Sequence, residues 1–167
     1  ATAIEKQLMG KSQTFGDYTK GLAVEYGDVQ RALGGKDIAI EFFSYQKDAK
    51  TRHYGALVLT RHDAPRYVDV GDDISWQSLD LSGGGCYKNA MLFNLIFRNL
   101  LDIMPTWDEG NVYFSADGLL HTVALENLPG SEKYSLRRLS STRELALEKS
   151  AADSKISGMA LYGGISY

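Results

Sequence analysis

The residues of this 167-residue chain with the most reactive side chains are one cysteine and three histidines. Cys86 follows glycines 83–85, so we expect it at the start of a helix, where the helix dipole lowers the pKa of a thiol and favours the nucleophilic thiolate. No neighbouring residue supplies a base for such a nucleophile. The alternative is a small apolar residue packed in the core, and the rate of reaction with iodoacetamide separates the two.

The three histidines are spaced too irregularly to predict a metal or catalytic site. His53 begins a predicted strand, His62 lies in the turn after it, and His121 follows a glycine turn. None stands at a metal-ligand spacing such as His-x-x-x-His from another suitable residue. We therefore expect structural histidines, no metal and no cofactor.

Two further patterns resemble ligand sites only in composition. An acidic cluster lacks the regular spacing of a calcium loop and predicts a solvated turn; its members are Asp69, Asp72, Asp73 and Asp80. The glycines before Cys86 match neither a phosphate loop nor Gly-x-Gly-x-x-Gly. The sequence thus assigns no catalytic and no metal-binding residue, and it leaves the binding residues unknown.

Composition and charge describe an ordinary globular chain of single-domain length. Hydrophobic residues make up 44% and charged residues 23% of the sequence. The formal charge of −3 excludes a strongly basic nucleic-acid binder and gives no reason to expect attraction to an anionic membrane. Because a single cysteine cannot form an internal disulfide, it fits a reducing compartment, and we expect a cytoplasmic location.

The first half of the chain predicts helical segments followed by three strands. Residues 2–9 and 17–33 show helical patterns, the second ended by the glycines at 34 and 35. Residues 37–46, 53–61 and 66–70 are rich in β-branched and aromatic residues and are joined by short polar turns. Such connections indicate an antiparallel meander.

The second half predicts a return to α/β alternation. We expect a long buried helix over 87–103, followed by a hairpin of strands over 111–115 and 119–123. A further strand is expected over 134–139, with Arg137 and Arg138 on an exposed edge. Ser141 and Glu144 fit a capping box that opens a helix through Glu148. A last strand is expected over 159–162. In an α/β fold a crossover helix and another parallel strand would follow, so we expect a piece of a longer protein, either a processed subunit or a truncated chain.

Residues 111–128 (NVYFSADGLLHTVALENL) resemble the opening segment of the CHAT domain, a caspase-like family found beside tetratricopeptide repeats in bacterial proteins. Asp117 and Gly118 match its turn, and residues 125–128 match its closing apolar-acidic step, with Ala124 where the family usually has proline. Residues 139–145 and 161–167 are similar to later steps, and residues 28–33, 40–43 and 54–59 to the preceding stretch. The resemblance covers about residues 24–167 in a consistent order.

This resemblance implies an α/β fold, a caspase-like α/β/α half-domain preceded by an antiparallel β meander. Residues 1–35 would form a helical lead-in and residues 36–167 the N-terminal half of the CHAT domain. The family's catalytic histidine and cysteine fall beyond residue 167, so the resemblance assigns none here. The implied roles are structural: Asp117 and Gly118 in the turn, Glu126 after it, and Ser141 as a helix cap.

The function implied by the resemblance is the N-terminal, non-catalytic part of a bacterial cysteine peptidase, inactive alone. Its expected partners are the catalytic C-terminal half, which acts on a peptide or protein substrate, or a second copy bound through residues 159–162. The alternative is a non-enzymatic adaptor or pseudo-protease that holds a partner with the meander, residues 37–70. An enzyme that uses Cys86 is disfavoured because no base accompanies it.

Overall fold

The computed structural model describes residues 21–76 and 84–147, which form a mixed α/β fold with few helices. Short 3-10 helices are formed by Gly84–Lys88, Gly118–Thr122, Leu125–Asn127, Ser131–Lys133 and Thr142–Leu145. The α-helices and strands are, in chain order, α1 (Tyr26–Ala32), β1 (Ile38–Gln46), β2 (Arg52–Thr60), β3 (Arg66–Asp72), α2 (Asp73–Trp76), α3 (Leu92–Phe97), β4 (Asn111–Ser115) and β5 (Ser135–Leu139).

The strands form one five-stranded sheet in the order β3-β2-β1-β4-β5. The pairs β1–β2 and β2–β3 are antiparallel, which confirms the predicted meander. The pairs β1–β4 and β4–β5 are parallel, so β1 joins the two halves of the sheet. The β1–β2 loop is closed by Asp48, whose Oδ1 accepts hydrogen bonds from the backbone N of Lys50 (2.8 Å) and Thr51 (2.9 Å).

The two faces of the sheet carry different cores. On the first face, apolar side chains of the strands pack with α3, where the rings of Phe93 and Phe97 stack 4.5 Å apart. On the second face, Ala39 and Leu59 pack against Val29 and Leu33 from α1 and the residue after it. Because strand residues alternate between the faces, β1 and β2 each contribute to both cores.

Asp37 aligns β1 with β4 although 74 residues separate it from Asn111. Its Oδ2 accepts a hydrogen bond from the backbone N of Gly34 (3.0 Å), and its Oδ1 accepts one from the backbone N of Asn111 (2.8 Å). The backbones approach closely here, since a Cβ on Gly110 would lie 2.7 Å from the carbonyl O of Lys36. These contacts place the start of β4 beside the start of β1.

The predicted helix over residues 87–103 is wrong in extent. The chain forms a 3-10 helix to Lys88, and the Oδ1 of Asn89 then accepts a hydrogen bond from the backbone N of Met91 (3.0 Å), which interrupts the helical hydrogen bonding. Only α3, Leu92–Phe97, is α-helical, and turns follow it. The predicted burial of this segment is confirmed for α3, which contributes Leu92, Phe93, Ile96 and Phe97 to the core.

The predicted hairpin strand over residues 119–123 is also wrong. Gly118 has a positive φ of 55° and begins a 3-10 helix, in which the backbone N of Leu120 donates to the carbonyl O of Asp117 (3.1 Å). Leu120 and Val123 are buried in the first-face core. Their apolar pattern therefore reflects burial of a helical turn, which short apolar segments do not distinguish from a strand.

Several expectations concern residues outside the described part of the chain. These are the helix over 2–9, the strand over 159–162 and the position of Asp80. The helical pattern of residues 17–33 is confirmed for its described part, by helical residues 21–23 and by α1. The division at residues 35 and 36 stays a prediction. Within residues 21–76 and 84–147, no helix combines the length and hydropathy of a membrane span.

Candidate functional site

A fixed carboxylate lies where β1 and β4 end, at one edge of the sheet. Ligands of α/β proteins bind outside the carboxyl ends of parallel strands, so the carboxyl ends of β1 and β4 are a candidate binding region. Asp117 follows β4, and its Oδ2 accepts hydrogen bonds from the backbone N (2.7 Å) and the Oγ (2.8 Å) of Ser44 in β1. Burial raises the pKa of the Asp117 carboxyl, but hydrogen bonds from Ser44 and Gly118 outweigh it and leave the pKa below its ordinary value. The carboxylate is therefore ionised at neutral pH.

A glycine and a buried tyrosine hold the segment after Asp117. Gly118 lies in the left-handed region of φ, which favours glycine, and a Cβ there would lie 2.8 Å from the Oη of Tyr54 in β2. The Tyr54 Oη accepts a hydrogen bond from the backbone N of Leu119 (3.2 Å), and its ring lies 4.7 Å from that of Trp76. Strands β1 and β2 together thus fix the chain at the end of β4.

An ion pair ties the next segment to β5. The Arg138 Nη2 lies 3.0 Å from the Glu126 Oε2, and only 27% and 30% of these side chains are exposed. The same Nη2 donates a hydrogen bond to the carbonyl O of Val123, and the guanidinium carbon lies 5.0 Å from the ring centre of Phe114. The expected exposed edge is thus correct for Arg137 but wrong for Arg138, because the guanidinium binds Glu126 and covers a β4 ring.

The predicted capping box is confirmed, but it opens a 3-10 helix that ends at Leu145, and Glu148 lies outside the described residues. The Ser141 Oγ accepts a hydrogen bond from the backbone N of Arg143 (3.4 Å), and Glu144 reaches back to the backbone N of Ser141 (3.4 Å). Thr142 donates from its backbone N (2.9 Å) and Oγ1 (2.5 Å) to the Oε2 of Glu41 in β1. The chain after β5 is therefore anchored to the second face of the sheet.

The structure does not gather the histidines into a site. His53 lies on the second face, where its Nε2 is 3.1 Å from the Oδ2 of Asp69. The Nδ1 of His53 is buried and has no hydrogen-bond partner within the described part of the chain. His62 lies in the β2–β3 turn. His121 is exposed in the 3-10 helix after Asp117, and its proximity is a minor cause of the lowered Asp117 pKa.

Cys86 is a core residue. It lies within the 3-10 helix Gly84–Lys88 rather than at the first position of an α-helix, and only 5% of it is exposed. It packs with the first-face core. Such burial leaves a substrate carbonyl no route to the thiol, so the structure favours the packing role over the catalytic one.

Two members of the acidic cluster, Asp69 and Asp73, have structural roles. Asp69 pairs with His53, and the Asp73 Oδ1 accepts a hydrogen bond from the backbone N of Arg52 (3.1 Å). Among the described residues, no group of three or more histidine, cysteine, aspartate or glutamate side chains is arranged to hold a metal ion.

A second candidate region is an exposed aromatic surface on the meander, which sequence analysis missed. Phe43 and Tyr67 lie side by side over β2, with their ring centres 6.1 Å apart. They can do so because Gly55 has no side chain. A Cβ on Gly55 would lie 2.6 Å from the Tyr67 ring and 2.8 Å from the Phe43 ring. Tyr45 stacks on Phe43 at 6.2 Å. Between 43% and 50% of Tyr45, Leu57 and Tyr67 is exposed. We call Phe43, Tyr45, Leu57 and Tyr67 the aromatic face.

Two clefts border the meander. One, of about 490 Å³, lies on the second face between α1 and the Ser141–Arg143 segment, and Leu57 joins it to the aromatic face. The other, of about 380 Å³, lies near the start of β1 and is lined by charged residues of both signs, among them Lys36, Arg61 and Glu109. The first is an apolar groove with Glu41 and Arg143 on its walls.

No protein-family model, curated protein or solved structure significantly matches this chain.

Proposed function

We propose that this chain is the N-terminal, non-catalytic part of a caspase-like cysteine peptidase of the CHAT type. Its role is to supply the scaffold for a histidine–cysteine dyad carried beyond residue 167. The observation that carries the proposal is the Asp117–Gly118 segment, which Ser44 and Tyr54 hold at the carboxyl end of β4. This segment also carries the resemblance to the CHAT domain. The parallel strands β1, β4 and β5 end at the same side of the sheet, and such strand ends are suited to place catalytic residues.

In the proposed reaction the cysteine thiolate attacks a peptide carbonyl, and the thioester forms as the amine departs. The histidine imidazole takes the thiol proton and returns it to the amine; water then hydrolyses the thioester. No residue of the described chain takes part in these steps. Its contribution is to keep β1, β4 and β5 in register, so that the strands that carry the dyad can be added beside β5.

The edge of β5 supports this arrangement. In the described part of the chain, β5 pairs with β4 on one side and is the last strand of the sheet. An exposed edge of backbone N–H and C=O groups is a template for another strand. We propose that the catalytic half extends the sheet on this side, and that self-association through residues 159–162 is the alternative when that half is missing. We also propose that the protein acts in the cytoplasm.

The proposal is tested by comparing peptide cleavage by this chain with cleavage by the natural polypeptide that contains it. A quenched fluorescent peptide library and casein serve as substrates, with and without iodoacetamide. We expect cleavage by the natural polypeptide alone, lost after alkylation and after alanine substitution of its downstream cysteine. Cleavage by the isolated chain that is lost in Cys86→Ser would contradict the proposal.

A second candidate is a non-enzymatic adaptor that binds a partner through the meander. The aromatic face favours this function, since three of its four residues are 43–50% exposed on one side of the sheet. Contiguous exposed apolar surface of this kind marks interaction sites. The adaptor gains support if the natural polypeptide lacks the dyad and retains the aromatic face.

A further inference from the structure

The aromatic face has an asymmetric charge pattern around it. Strand alternation places Glu41 and Asp69 on the same side of the sheet as Phe43 and Leu57. The arginines within β1, β2 and β3 are Arg52 and Arg66, which alternate with this set and therefore point to the opposite side. His53 lies on the same side as the rings, with its Nε2 3.1 Å from the Asp69 Oδ2. On this side the three strands therefore present rings, carboxylates and one imidazole, but no arginine or lysine.

Asp69 is a carboxylate that lies beside the exposed rings. It stands opposite Gly55 in the β2–β3 register, and 57% of its side chain is exposed. Its charge acts on the neighbouring Tyr67: partial burial, a hydrogen bond with Tyr45 and the Asp69 charge raise the pKa of Tyr67 to about 12. Tyr67 is therefore a neutral ring at physiological pH, beside an anion.

The rest of the surroundings limits where a cation could bind. Lys47 and Lys50 lie in the loop beyond Tyr45 and disfavour a cation at that end. Glu41 already accepts two hydrogen bonds from Thr142. The favourable position is therefore over Phe43 and Tyr67, next to Asp69.

We infer that the aromatic face binds an arginine-bearing, extended segment of a partner protein, with a guanidinium stacked on Tyr67 or Phe43 and paired with Asp69. A guanidinium is planar, stacks on aromatic faces and donates to carboxylates in a fixed geometry, so it matches rings and an anion at once. An apolar partner would desolvate the exposed part of the Asp69 carboxylate and offer it no partner beyond His53, and a nucleic acid would meet its negative charge. This inference names the partner for the adaptor function and does not depend on the peptidase scaffold.

The experiment uses a fluorescein-labelled peptide of alternating glycine and arginine, with a citrulline peptide of the same length as the uncharged control. Fluorescence anisotropy at low and at physiological salt measures affinity, and NMR chemical shifts of the labelled protein locate the peptide. We expect saturable binding of the arginine peptide, weaker at higher salt, with shifts centred on Phe43, Tyr67 and Asp69.

Substitutions on the aromatic face and elsewhere separate this site from general charge attraction. Asp69→Asn and Tyr67→Leu should each weaken binding by about fivefold, the effect of losing one ion pair or cation–π contact. Trp107→Leu and Asp108→Asn, an exposed aromatic–acid pair in the loop before β4, are the matched controls and should leave binding unchanged. Circular dichroism shows that each variant is folded, and the chemical shifts of the unsubstituted protein provide a test that needs no variant.

Three results would overturn the inference. Equal binding of the citrulline peptide would indicate an apolar partner, and shifts outside the aromatic face would place the cation elsewhere. Self-association through this face, without peptide binding, would make a second copy its occupant. None of these results bears on whether the natural polypeptide carries a downstream dyad, so failure of this inference and failure of the peptidase proposal are distinguishable.

Discussion

Removal of the Asp117 carboxylate should release the segment that follows β4. In Asp117→Ala, two hydrogen bonds from Ser44 are lost, and the Ser44 backbone N loses the acceptor that lies 2.7 Å away. Hydrogen bonds to a charged group are worth about 1.5–3 kcal/mol each, but Asp117 is only partly buried, so we expect a total loss of about 2–3 kcal/mol. For a chain of this length, that loss lowers the melting temperature by about 4–12 °C.

A double-mutant cycle isolates the contact between the two side chains. Ser44→Ala removes only the Oγ bond and should cost about 1 kcal/mol. In the Asp117→Ala background the same change should cost almost nothing, which gives an interaction energy of about 1 kcal/mol. Urea denaturation followed by circular dichroism measures all four proteins, with unchanged m values as the check that the folded states are comparable.

The reasoning would be refuted by simple additivity. If Ser44→Ala costs the same with and without the Asp117 carboxylate, the two side chains do not stabilise each other. A loss below about 0.5 kcal/mol in Asp117→Ala would show that water replaces the bonds at no cost, as it does at ordinary surface positions.

Three further predictions concern single substitutions. Gly118→Ala should destabilise the fold by about 2 kcal/mol, because Gly118 has a positive φ and the new Cβ would lie close to the Tyr54 Oη. Gly35 has open space around it, so Gly35→Ala should change stability by less than about 1 kcal/mol. Thermal denaturation measures both variants. Arg138→Ala should cost about 1–2 kcal/mol in urea denaturation and Arg137→Ala less than about 0.5 kcal/mol; equal effects would contradict the partly buried ion pair of Arg138. Asp117→Asn should be less stable than the unsubstituted chain at pH 7. Because the folded pKa of Asp117 is lowered, its ionised form contributes fully above about pH 4 and is lost as the pH falls through the folded pKa. This difference should therefore close only below the ordinary aspartate pKa, and a constant difference would contradict the lowered pKa.

The strands of the meander could be predicted because their signals are local. Residues of β1 and β2 alternate between the faces, and polar turns bound each segment, so pattern alone gave the antiparallel neighbours. The parallel pairing of β4 with β1 was not predictable in the same way. It depends on Asp37 reaching Asn111 across 74 residues, and single-sequence patterns hold no record of such a contact.

The candidate site shows the same division. Asp117 and Gly118 could be found as a motif, but their partners could not, since Ser44 and Tyr54 lie 73 and 65 residues from the atoms they bind. The partial burial of Arg138 was missed because an edge strand suggests side chains that are exposed on both faces.

The aromatic face left one sequence signal, the spacing of Phe43 and Tyr45 by two residues on one side of a strand. Its completion by Tyr67 depends on the empty space at Gly55, which becomes visible only when the strands are paired.

The central proposal is that this chain is the scaffold half of a peptidase whose histidine and cysteine lie beyond residue 167. The most direct measurement is the intact mass of the natural protein, with sequencing of its full polypeptide and of any chain that co-purifies with it. The proposal predicts a further segment, covalent or co-purifying, with a histidine and a cysteine at two strand ends. A natural protein that carries no such pair would contradict the proposal and leave the adaptor function in its place.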